Sequence, residues 1–542
     1  MKPGTAWLGT LLAASAFAGP PLIVTGWDSP NAAQFRQHVA EFENWGLFDG
    51  TTIKPTRQVD GARTVDAHNA FSREPWRWEE FAVARADLRA AKATTCRQTF
   101  LMLYANPGDV DWFDDAGWRE VVNHWRLLAR LAREGGLRGL LYDAEPYTKP
   151  YSQFRYGAQA GSAHHSFPEY QAKARERGRA VMRAVGEEFP DATVFTYRLF
   201  SDLLPLLDSG NLTLALEPDT YGLQPSFVDG WVDALPAGLS VVEGTEDIGY
   251  RANSPAEYQA VFTLERLRLP EFLAPENRET FAQRLRIGQS VYLDAHLNPP
   301  EDPWHIDSTG SSPAARLAAN LASALAASDG LVWLYGEKAR WWPGGDNKSK
   351  LWPRTFPGVV EAIRCAKDPV GFARGVFAAN RPRSNLLRDG HFTQTRPHGE
   401  VPEGWFTWQA DNSHGTIACA DGRLAISGAN EAVVGFVAET KPGTLLAAHL
   451  RVKTTGRGQG VLALGWKTGE GKWTAQARNA RFFPVGSADA TGWREITGLV
   501  ETPRGAGQVV FMVSATAQLG PNDHCEFDDA ELVLIPPNPE PR

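Results

Sequence analysis

The sequence predicts an α/β fold, a (β/α)8 TIM barrel, followed by an all-β sandwich. Over roughly the first 370 residues, short apolar runs alternate with amphipathic segments, as expected for repeated strand–helix units. After Asp368 the helical periodicity stops, and short alternating strands separated by Gly, Asn, Asp and Thr take over. A chain of 542 residues is also long enough for two domains, one of them a barrel.

The chain opens with the layout of a secretory signal peptide. Met1-Lys2 leads into an apolar run, Ala6–Phe17, which closes on small residues up to Ala18. Because this run is shorter than the approximately 20 residues that span a bilayer, we expect cleavage and a secreted or periplasmic protein. The predicted segments are a signal peptide at 1–18, the barrel at 19–377, an Arg/Pro/Asn-rich linker at 378–384 and the sandwich at 385–537.

Eight apolar runs are the predicted barrel strands: Leu22–Trp27, Thr52–Lys54, Thr99–Tyr104, Leu137–Asp143, Thr193–Arg198, Leu239–Glu243, Gln289–Asp294 and Gly330–Tyr335. Helical patterns between them are clearest at Trp78–Ala91, Trp118–Arg133, Pro168–Glu188, Ala256–Leu267 and Ala314–Ala327. No G-x-G-x-x-G turn follows the first strand, so a barrel is favoured over an open dinucleotide-binding sheet. The sandwich strands are predicted at Leu424–Ser427, Leu445–Lys453, Gly460–Trp466, Arg494–Val500 and Gln508–Val513.

Composition limits the partners. The net charge is −8 and there is no basic block, which argues against nucleic acid and anionic membranes as partners. We also expect a monomer. Nineteen tryptophans favour a poly- or oligosaccharide, since aromatic faces stack on sugar rings. In an exported protein the four cysteines can pair as Cys96–Cys365 and Cys419–Cys525, although the sequence does not fix the pairing. No Cys/His spacing suggests a zinc site.

The C-terminal part carries a specific resemblance. Its residues are Asn385-Leu386-Leu387-Arg388-Asp389-Gly390-His391-Phe392, then Gly404-Trp405 with Trp408, and finally Glu526-Phe527-Asp528-Asp529-Ala530-Glu531-Leu532-Val533. This pattern resembles the jelly-roll carbohydrate-binding modules often attached to glycoside hydrolases, with Asp389 and Ala530 as departures. The resemblance implies an all-β jelly-roll sandwich that binds sugar or serves as structural support. In some members the acidic residues near the two ends hold calcium, so a structural calcium ion is an alternative to our expectation of no cofactor and no metal.

The predicted catalytic residues follow the fourth strand, in Gly139-Leu140-Leu141-Tyr142-Asp143-Ala144-Glu145-Pro146-Tyr147. Barrel chemistry lies at the C-terminal ends of the strands. Residues i and i+2 of a strand share a face, so Asp143 and Glu145 would lie about 6.6 Å apart along the backbone, both directed to the barrel mouth. Two close carboxylates shift each other's pKa, which suits glycoside cleavage. We expect Glu145, nearest the mouth, to be the general acid, and Asp143 to stay ionised.

The Asp143–Glu145 pair also resembles the end of the chitinase-like D-x-x-D-x-D-x-E motif. In that family the Glu is the acid, and the Asp two residues earlier orients a substrate acetamido group. Only the last triplet matches, because the two upstream acidic positions are Arg138 and Leu141 here. The resemblance is therefore one of layout.

Other strand ends offer a second catalytic partner. Glu243, with Glu246 and Asp247 close behind it, is the first candidate, and Asp294 and Glu337 are the alternatives. Aromatic and polar residues at strand ends would form the sugar subsite. The predicted substrate-binding residues are Trp27, Tyr104, Asn106, Tyr147, Tyr197, Tyr292, Asp294, Trp333 and Glu337.

These features predict a secreted glycoside hydrolase that cleaves a poly- or oligosaccharide by carboxylate acid/base catalysis. Two alternatives stay open: a non-catalytic glycan-binding or scaffold protein with a degenerate barrel, and a polysaccharide lyase. An esterase is disfavoured because no G-x-S-x-G elbow is present. The sugar, its linkage, endo or exo action and the anomeric outcome are not predicted.

Overall fold

The structure is a computed structural model that describes residues 19–61, 63–147, 153–308, 311–343, 350–378, 384–394, 401–475 and 479–535. The predicted signal peptide and residues 379–383 of the predicted linker lie outside these ranges. Among the described residues, no helix has the length and apolarity needed to cross a bilayer.

The N-terminal part is a parallel α/β barrel. Its strands and those of two small additions are β1 (Leu22–Val24), β2 (Gly50–Ile53), β3 (Thr56–Val59), β4 (Arg63–Asp66), β5 (Asn69–Phe71), β6 (Phe100–Pro107), β7 (Gly139–Asp143), β8 (Thr193–Thr196), β9 (Ser240–Glu243), β10 (Leu285–Ile287), β11 (Gln289–Tyr292) and β12 (Val332–Tyr335). The hydrogen-bonded order is β10-β9-β8-β7-β6-β2-β1-β12-β11, with β5 beside β6 and with β3 and β4 paired as a separate hairpin.

Gly288 closes the barrel. It separates β10 from β11, so these two segments act as one seventh strand whose first half pairs with β9 and whose second half pairs with β12. The Gly288 N–H donates to the Glu243 carbonyl at 2.7 Å. A Cβ at this position would lie 2.8 Å from the Leu331 carbonyl oxygen, so a side chain would push the neighbouring strands apart. All eight predicted barrel strands are confirmed, with shifts of a few residues at their ends.

Twelve described helices accompany the barrel strands: α1 (Ala32–Glu43), α2 (Ala82–Ala90), α3 (Asp115–Glu134), α4 (Phe167–Glu188), α5 (Leu212–Leu216), α6 (Gln224–Asp233), α7 (Glu246–Arg251), α8 (Pro255–Arg268), α9 (Pro275–Arg284), α10 (Pro313–Ala326), α11 (Trp352–Thr355) and α12 (Val359–Lys367). A further helix, α13 (Pro369–Ala378), follows them. Short 3-10 helices lie at Trp78–Phe81, Tyr156–Ala158, Ser201–Asp208, Leu269–Phe272 and Leu293–His296. Several starts are marked in the sequence, since Asn31, Ser254 and Ser312 precede α1, α8 and α10 and accept first-turn N–H groups.

Helices α4 and α6 approach each other at two glycines. A Cβ on Gly178 would lie 1.8 Å from the Phe227 carbonyl oxygen, and one on Gly230 would lie 2.0 Å from the Arg175 carbonyl oxygen. Backbone therefore packs directly on backbone at this crossing, and no larger residue fits without separating the helices.

Alternation along the barrel strands creates two buried layers. On β7, Leu141 belongs to the cluster inside the barrel, whereas Leu140 and Tyr142 belong to the cluster between the strands and the helices. The same alternation on β9 places Val242 inside and Val241 outside. This alternation decides which strand-end residues can reach the mouth.

The C-terminal part is an antiparallel β-sandwich, as predicted. Its strands are β13 (Trp405–Gln409), β14 (Thr416–Ala420), β15 (Arg423–Ser427), β16 (Glu431–Glu439), β17 (Leu445–Thr455), β18 (Gln459–Lys467), β19 (Ala480–Phe482), β20 (Arg494–Glu501), β21 (Gln508–Thr516) and β22 (His524–Ile535). They form two five-stranded sheets, β13-β16-β21-β18-β19 and β14-β15-β22-β17-β20. A hydrophobic core of its own lies between the sheets. Asn385 ties the two ends together, because it donates to the Ala530 carbonyl and accepts from the Leu532 N–H.

The prediction that helices end at Asp368 is wrong, since α13 follows it directly. This helix packs against the sandwich. The Arg374 guanidinium lies 3.6 Å from the Glu495 carboxylate, and the Phe377 and His449 rings lie 5.1 Å apart. The helix was missed because its apolar face covers a neighbouring sheet rather than the barrel.

The predicted disulfides are also wrong, since all four cysteines are free. Cys419 lies on β14 and Cys525 on β22, and β15 runs between those strands. Two strand spacings separate their backbones by about 10 Å, beyond the approximately 7 Å that a disulfide can bridge. Burial raises the pKa of Cys96 to about 12 and that of Cys365 to about 11, so neither thiol is reactive at neutral pH.

Candidate active site

Charged residues converge at the C-terminal mouth of the barrel, where β7, β8 and β9 end. The loop after β7 supplies Asp143 and Glu145, the loop after β8 supplies Arg198, and the loop after β9 supplies Glu246 and Asp247. Because neighbouring parallel strands end at the same edge, these side chains come from different parts of the chain but share one site.

Asp143 is the deepest carboxylate of the site and is almost fully buried. Its Oδ1 accepts the Glu145 N–H at 2.8 Å, and its Oδ2 accepts the Tyr147 hydroxyl at 2.7 Å. Burial and the neighbouring Glu145 raise the pKa of Asp143 to about 7, against the lowering effect of its hydrogen bonds and of Arg198. The expectation that Asp143 stays fully ionised therefore fails near neutral pH, because a carboxyl with that pKa is about half protonated.

Arg198 joins the carboxylates of two loops. Its Nη2 lies 4.0 Å from Glu145 Oε2 and 2.9 Å from Glu246 Oε2, and its Nε donates to the same Glu246 oxygen at 3.0 Å. Asp202 accepts from Nη1 at 2.7 Å, and Asp247 lies 3.4 Å from Nη2. Burial alone would lower the pKa of Arg198, but the four carboxylates around the guanidinium outweigh it and hold that pKa well above its ordinary value.

Glu145 and Glu246 differ in exposure. The Glu145 side chain is 36% exposed, whereas the Glu246 side chain is 12% exposed and its Oε1 lies 3.5 Å from the Tyr250 hydroxyl. Burial raises the pKa of Glu246 to about 8, with Asp143 and Glu145 adding to the rise and Arg198 opposing it. The protons of such a cluster belong to the group as a whole, so the cluster retains a proton near neutral pH.

Glu243, the predicted third catalytic residue, does not reach the mouth. It is fully buried on the outer face of β9, opposite to Val242, which points into the barrel. Its carboxylate accepts three backbone N–H groups, from Leu199, Phe200 and Thr245. The prediction for Glu243 is wrong because successive residues of a strand point to opposite faces, so the residue after the inward-facing Val242 points outward.

Asp294 is also not placed to bind substrate. It is buried, and its carboxylate accepts the N–H groups of Glu337 at 2.7 Å and Lys338 at 3.2 Å. Asp294 therefore shapes the loop after β12. Glu337 itself is exposed at the mouth and accepts from the Tyr335 hydroxyl at 2.8 Å and from Trp27 Nε1 at 3.3 Å.

Several predicted aromatic residues do lie at the mouth. Trp27 is 70% exposed. Tyr104 is half-buried, and its ring lies 5.4 Å from Tyr147 and 4.7 Å from His68. Tyr292 is half-buried in a stack of rings. These rings offer apolar faces near the carboxylates.

Three predicted subsite residues lie too deep for a sugar. Tyr197 and Trp333 are buried inside the barrel with ring centroids 4.6 Å apart, and Trp333 Nε1 donates to the Gly244 carbonyl. Asn106 is buried as well. The two rings fill the barrel interior because a closed eight-stranded barrel leaves room only for side chains.

Glu246 was named only as a neighbour of Glu243, Arg198 only as the end of a predicted strand, and Tyr250 and Trp304 were missed. Tyr250 stands one helical turn after Glu246, and its ring stacks on Tyr292 at 5.0 Å and lies 5.9 Å from Trp304. The i to i+4 spacing of Glu246 and Tyr250 was the signal available, since it puts both on one helix face.

A groove of about 1650 Å³ lies on the outer face of the sheet that contains β13 and β19. One row of this sheet runs Phe406, Gly435, Met512, Ala463, Arg481 across its five strands. Aromatic and cationic side chains thus stand at the two edges of the row, and small or flexible residues form its floor.

Two tryptophans of the sandwich are exposed at this groove, Trp408 at 49% and Trp473 at 54%. The ring of Trp473 lies next to Gly465, where an added Cβ would come within 2.8 Å of it, and the Lys467 ammonium lies over the ring at 5.0 Å from its centroid. Trp405 and Trp466 are buried in the sandwich core and cannot stack on a ligand.

The acidic residues near the N- and C-terminal ends of the sandwich do not support the alternative of a structural calcium ion. Asp389 uses its carboxylate to accept the N–H groups of Thr393 and Gln394 and the Thr393 hydroxyl. Among the described residues, one group of potential ligands has its atoms within 4.8 Å of one another, His391, Asp528 and Asp529. A histidine nitrogen in that group does not fit calcium, which takes oxygen ligands.

No family model and no curated protein matches the chain. Among solved structures, it is similar to the enzymatically active domain of tailspike protein 4 of bacteriophage CBA120, at 13% identity over 28% of this chain and 21% of that chain, with a TM-score of 0.23. It is similar to CBM4 at 18% identity over 28% of this chain and 99% of that chain, with a TM-score of 0.20. It is also similar to the CBM22-1–GH10 modules of endo-1,4-beta-D-xylanase 10B of Clostridium thermocellum, at 14% identity over 26% of this chain and 27% of that chain, with a TM-score of 0.18. The chain thus spans about a fifth of the tailspike domain.

Proposed function

We propose that the protein is an exported glycoside hydrolase whose active site is the barrel mouth around Arg198. The observation that carries this proposal is the convergence of Glu145 and Glu246 on one guanidinium nitrogen. Because that nitrogen lies 4.0 Å from one carboxylate and 2.9 Å from the other, the two oxygens are at most about 7 Å apart. Glycosidases place their two carboxyl groups at separations of about 5–9.5 Å, on either side of the bond that breaks.

The electrostatics suit acid/base catalysis. Burial and mutual repulsion make Asp143 and Glu246 retain a proton near neutral pH, with pKa values of about 7 and about 8. Glu145 is the most exposed of the three and is the group proposed to donate a proton to the glycosidic oxygen. Glu246, held by Arg198 and facing Tyr250, is proposed to stabilise positive charge at the sugar carbon in its ionised form, which Arg198 favours and which predominates above about pH 8.

Aromatic rings at the same mouth support a sugar substrate. Trp27, Tyr104 and Tyr292 present apolar faces beside the carboxylates, and Glu337 offers an acceptor for sugar hydroxyls. Stacking rings and a few polar tips are what a carbohydrate subsite needs.

The test is a screen of the purified full-length protein against 4-nitrophenyl glycosides and a panel of polysaccharides, with release of reducing ends as the measurement. The double variant Glu145→Gln/Glu246→Gln is the matched control, because it keeps the volume of both side chains. Release by the wild type and none by the double variant would support the proposal. Equal release by both proteins would refute the assignment, and an unsaturated, ultraviolet-absorbing product would identify a lyase instead. A folded protein without release on any member of the panel would favour a non-catalytic glycan-binding or scaffold protein.

We also propose that the sandwich binds a polysaccharide chain in its groove. The Trp473 ring borders Gly465 and the Lys467 ammonium and is 54% exposed, and Trp408 stands on the opposite edge. Ser514, Asn479 and Arg481 line the groove and can bond sugar hydroxyls between these rings.

Affinity electrophoresis of the full-length protein tests the groove. Trp408→Ala and Trp473→Ala should each reduce retardation in gels that retard the wild type, since stacking on an aromatic ring supplies part of the affinity. Leu519→Ala is the control, because Leu519 is 71% exposed, more than either tryptophan, but is not among the residues that line the groove. Unchanged retardation of both tryptophan variants would leave the sandwich with a structural role.

A further inference from the structure

One buried carboxylate holds the two loops that carry the proposed active site. Glu243 Oε2 accepts the N–H groups of Leu199 at 2.8 Å and Phe200 at 3.1 Å, directly after Arg198. Glu243 Oε1 accepts the Thr245 N–H at 3.0 Å, directly before Glu246. The side chain is fully buried, so water cannot replace it as the acceptor.

Thr245 shows that the second loop is constrained. Its φ of 55° and ψ of 39° lie in the left-handed region, which a β-branched residue rarely adopts. The backbone at Thr245 and Glu246 is also held by Ser290. The Ser290 hydroxyl lies 3.0 Å from the Thr245 carbonyl oxygen and 2.8 Å from the Glu246 carbonyl oxygen. Residues kept in such a conformation cluster at functional sites because the surroundings fix them there.

We infer that Glu243 is a positioning residue, which sets the Arg198–Glu246 pair by fixing the backbone next to each partner. The inference rests on the proposed function of the barrel mouth. Glu243 does not touch the substrate, since it lies on the outer face of β9. Its effect reaches the mouth through three peptide N–H groups, two on the loop after β8 and one on the loop after β9.

The chemistry requires a carboxylate at this position. Burial raises the pKa of Glu243 to about 7, and the three N–H groups oppose that rise because they stabilise the ionised form, in which both oxygens accept from opposite loops. A glutamine side chain has one carbonyl oxygen and one NH2 group. In Glu243→Gln, the NH2 group would therefore face the backbone N–H groups of one of the two loops, donor against donor. One of the loops would then be released, and the contact between Arg198 and Glu246 would loosen.

Glu265 on α8 provides the matched comparison. It is fully buried beside Glu243, which adds to the rise of its pKa, yet among the described residues neither of its oxygens has a hydrogen-bond partner. Glu265→Gln therefore removes a buried carboxyl of the same size without breaking a bond to either loop.

The experiment combines hydrogen exchange with kinetics on the full-length protein. In Glu243→Gln, amides of peptides covering 197–201 and 243–247 should exchange at least about tenfold faster than in the wild type. On the 4-nitrophenyl glycoside that the wild type hydrolyses fastest, kcat should fall by about 10–100-fold with a smaller change in KM. The acidic limb of the pH profile should move up by about one pH unit, because Glu246 loses part of its contact with Arg198.

Glu265→Gln should leave exchange in both peptides, kcat and the pH limb near wild-type values. Equal effects of the two variants, or unchanged exchange and kcat in Glu243→Gln, would overturn the inference. If Glu243→Gln does not fold, Ser290→Ala serves instead, since it removes the other tether of Thr245; it should speed exchange in 243–247 and lower kcat, and a lack of both effects would overturn the inference. If no glycoside is hydrolysed, the exchange data still decide the role of Glu243, and only the proposed function fails.

Discussion

The roles of Glu145 and Glu246 make a prediction that depends on the leaving group. Glu145→Gln removes the proposed proton donor, so hydrolysis of a natural polysaccharide should fall by about 10²–10⁴-fold. An aryl glycoside with a good leaving group needs little protonation, and its hydrolysis should fall by less than about tenfold. Glu246→Gln should slow both substrates alike, because it removes charge stabilisation rather than a proton.

The size of the second effect follows from the contact with Arg198. Glu246 Oε2 already lies 2.9 Å from a guanidinium nitrogen, so the site can hold a cation in contact with this oxygen. A unit charge about 4 Å from a carboxylate is stabilised by about 4 kcal/mol at an effective dielectric constant of 20. That free energy corresponds to a loss of about 10³-fold in rate when the carboxylate becomes an amide.

The assay is a comparison of kcat/KM for 2,4-dinitrophenyl and 4-nitrophenyl glycosides with the polysaccharide, for wild type and each variant. Asp247→Asn is the control, since Asp247 contacts the same arginine at 3.4 Å but is more exposed. Its rates should stay within a few-fold of wild type. Equal losses on all substrates in Glu145→Gln, or wild-type rates in Glu246→Gln, would refute the assignment of roles.

Three further predictions concern the fold. Fragments 19–367 and 385–535 should each give a cooperative unfolding transition, because each contains its own hydrophobic cluster; an unfolded barrel fragment would show that the boundary is wrong. Gly178→Ala should lower the free energy of unfolding by about 3 kcal/mol in urea titrations, whereas Gly375→Ala, with open space around it in α13, should raise it by up to about 1 kcal/mol. Thiol titration of the unfolded protein should find four free cysteines, and a reductant should not change the unfolding midpoint; two or fewer thiols would mean that disulfides form.

The barrel could be predicted from the sequence because each strand is a short apolar run between amphipathic segments. The end of β7 was predicted for the same reason, since Asp143 follows an unbroken apolar run and shares its face with Leu141. Gly288 was not assigned a role, because only the pairing of its neighbours shows that one strand is split there. The last helix, α13, was not predicted because its apolar face packs against the sandwich rather than against the barrel.

The site was harder to predict than the fold. Glu243 and Glu246 lie three residues apart after the same strand, and one is buried under the helices while the other faces Arg198. The direction of each side chain depends on the strand's last inward residue and on the left-handed turn at Thr245, neither of which has a sequence signal. Likewise, Trp333 and Trp27 both follow the pattern of strand ends, but one fills the barrel and the other is exposed.

The junction between the barrel and the sandwich affects how the two proposed sugar sites would cooperate. Two segments of the N-terminal part contact the sandwich. Arg374 of α13 lies near Glu495, and the Ser312 N–H, just before α10, donates to the Glu501 carboxylate at 3.0 Å. With a flexible tether, the local concentration of polymer near the catalytic groups would depend on tether length. With these two contacts, the distance between the two proposed sites would be fixed, and a chain bound in the groove would reach the mouth in a restricted set of registers. Lengthening residues 379–383 alone should then change avidity little while Ser312 and Arg374 keep their contacts.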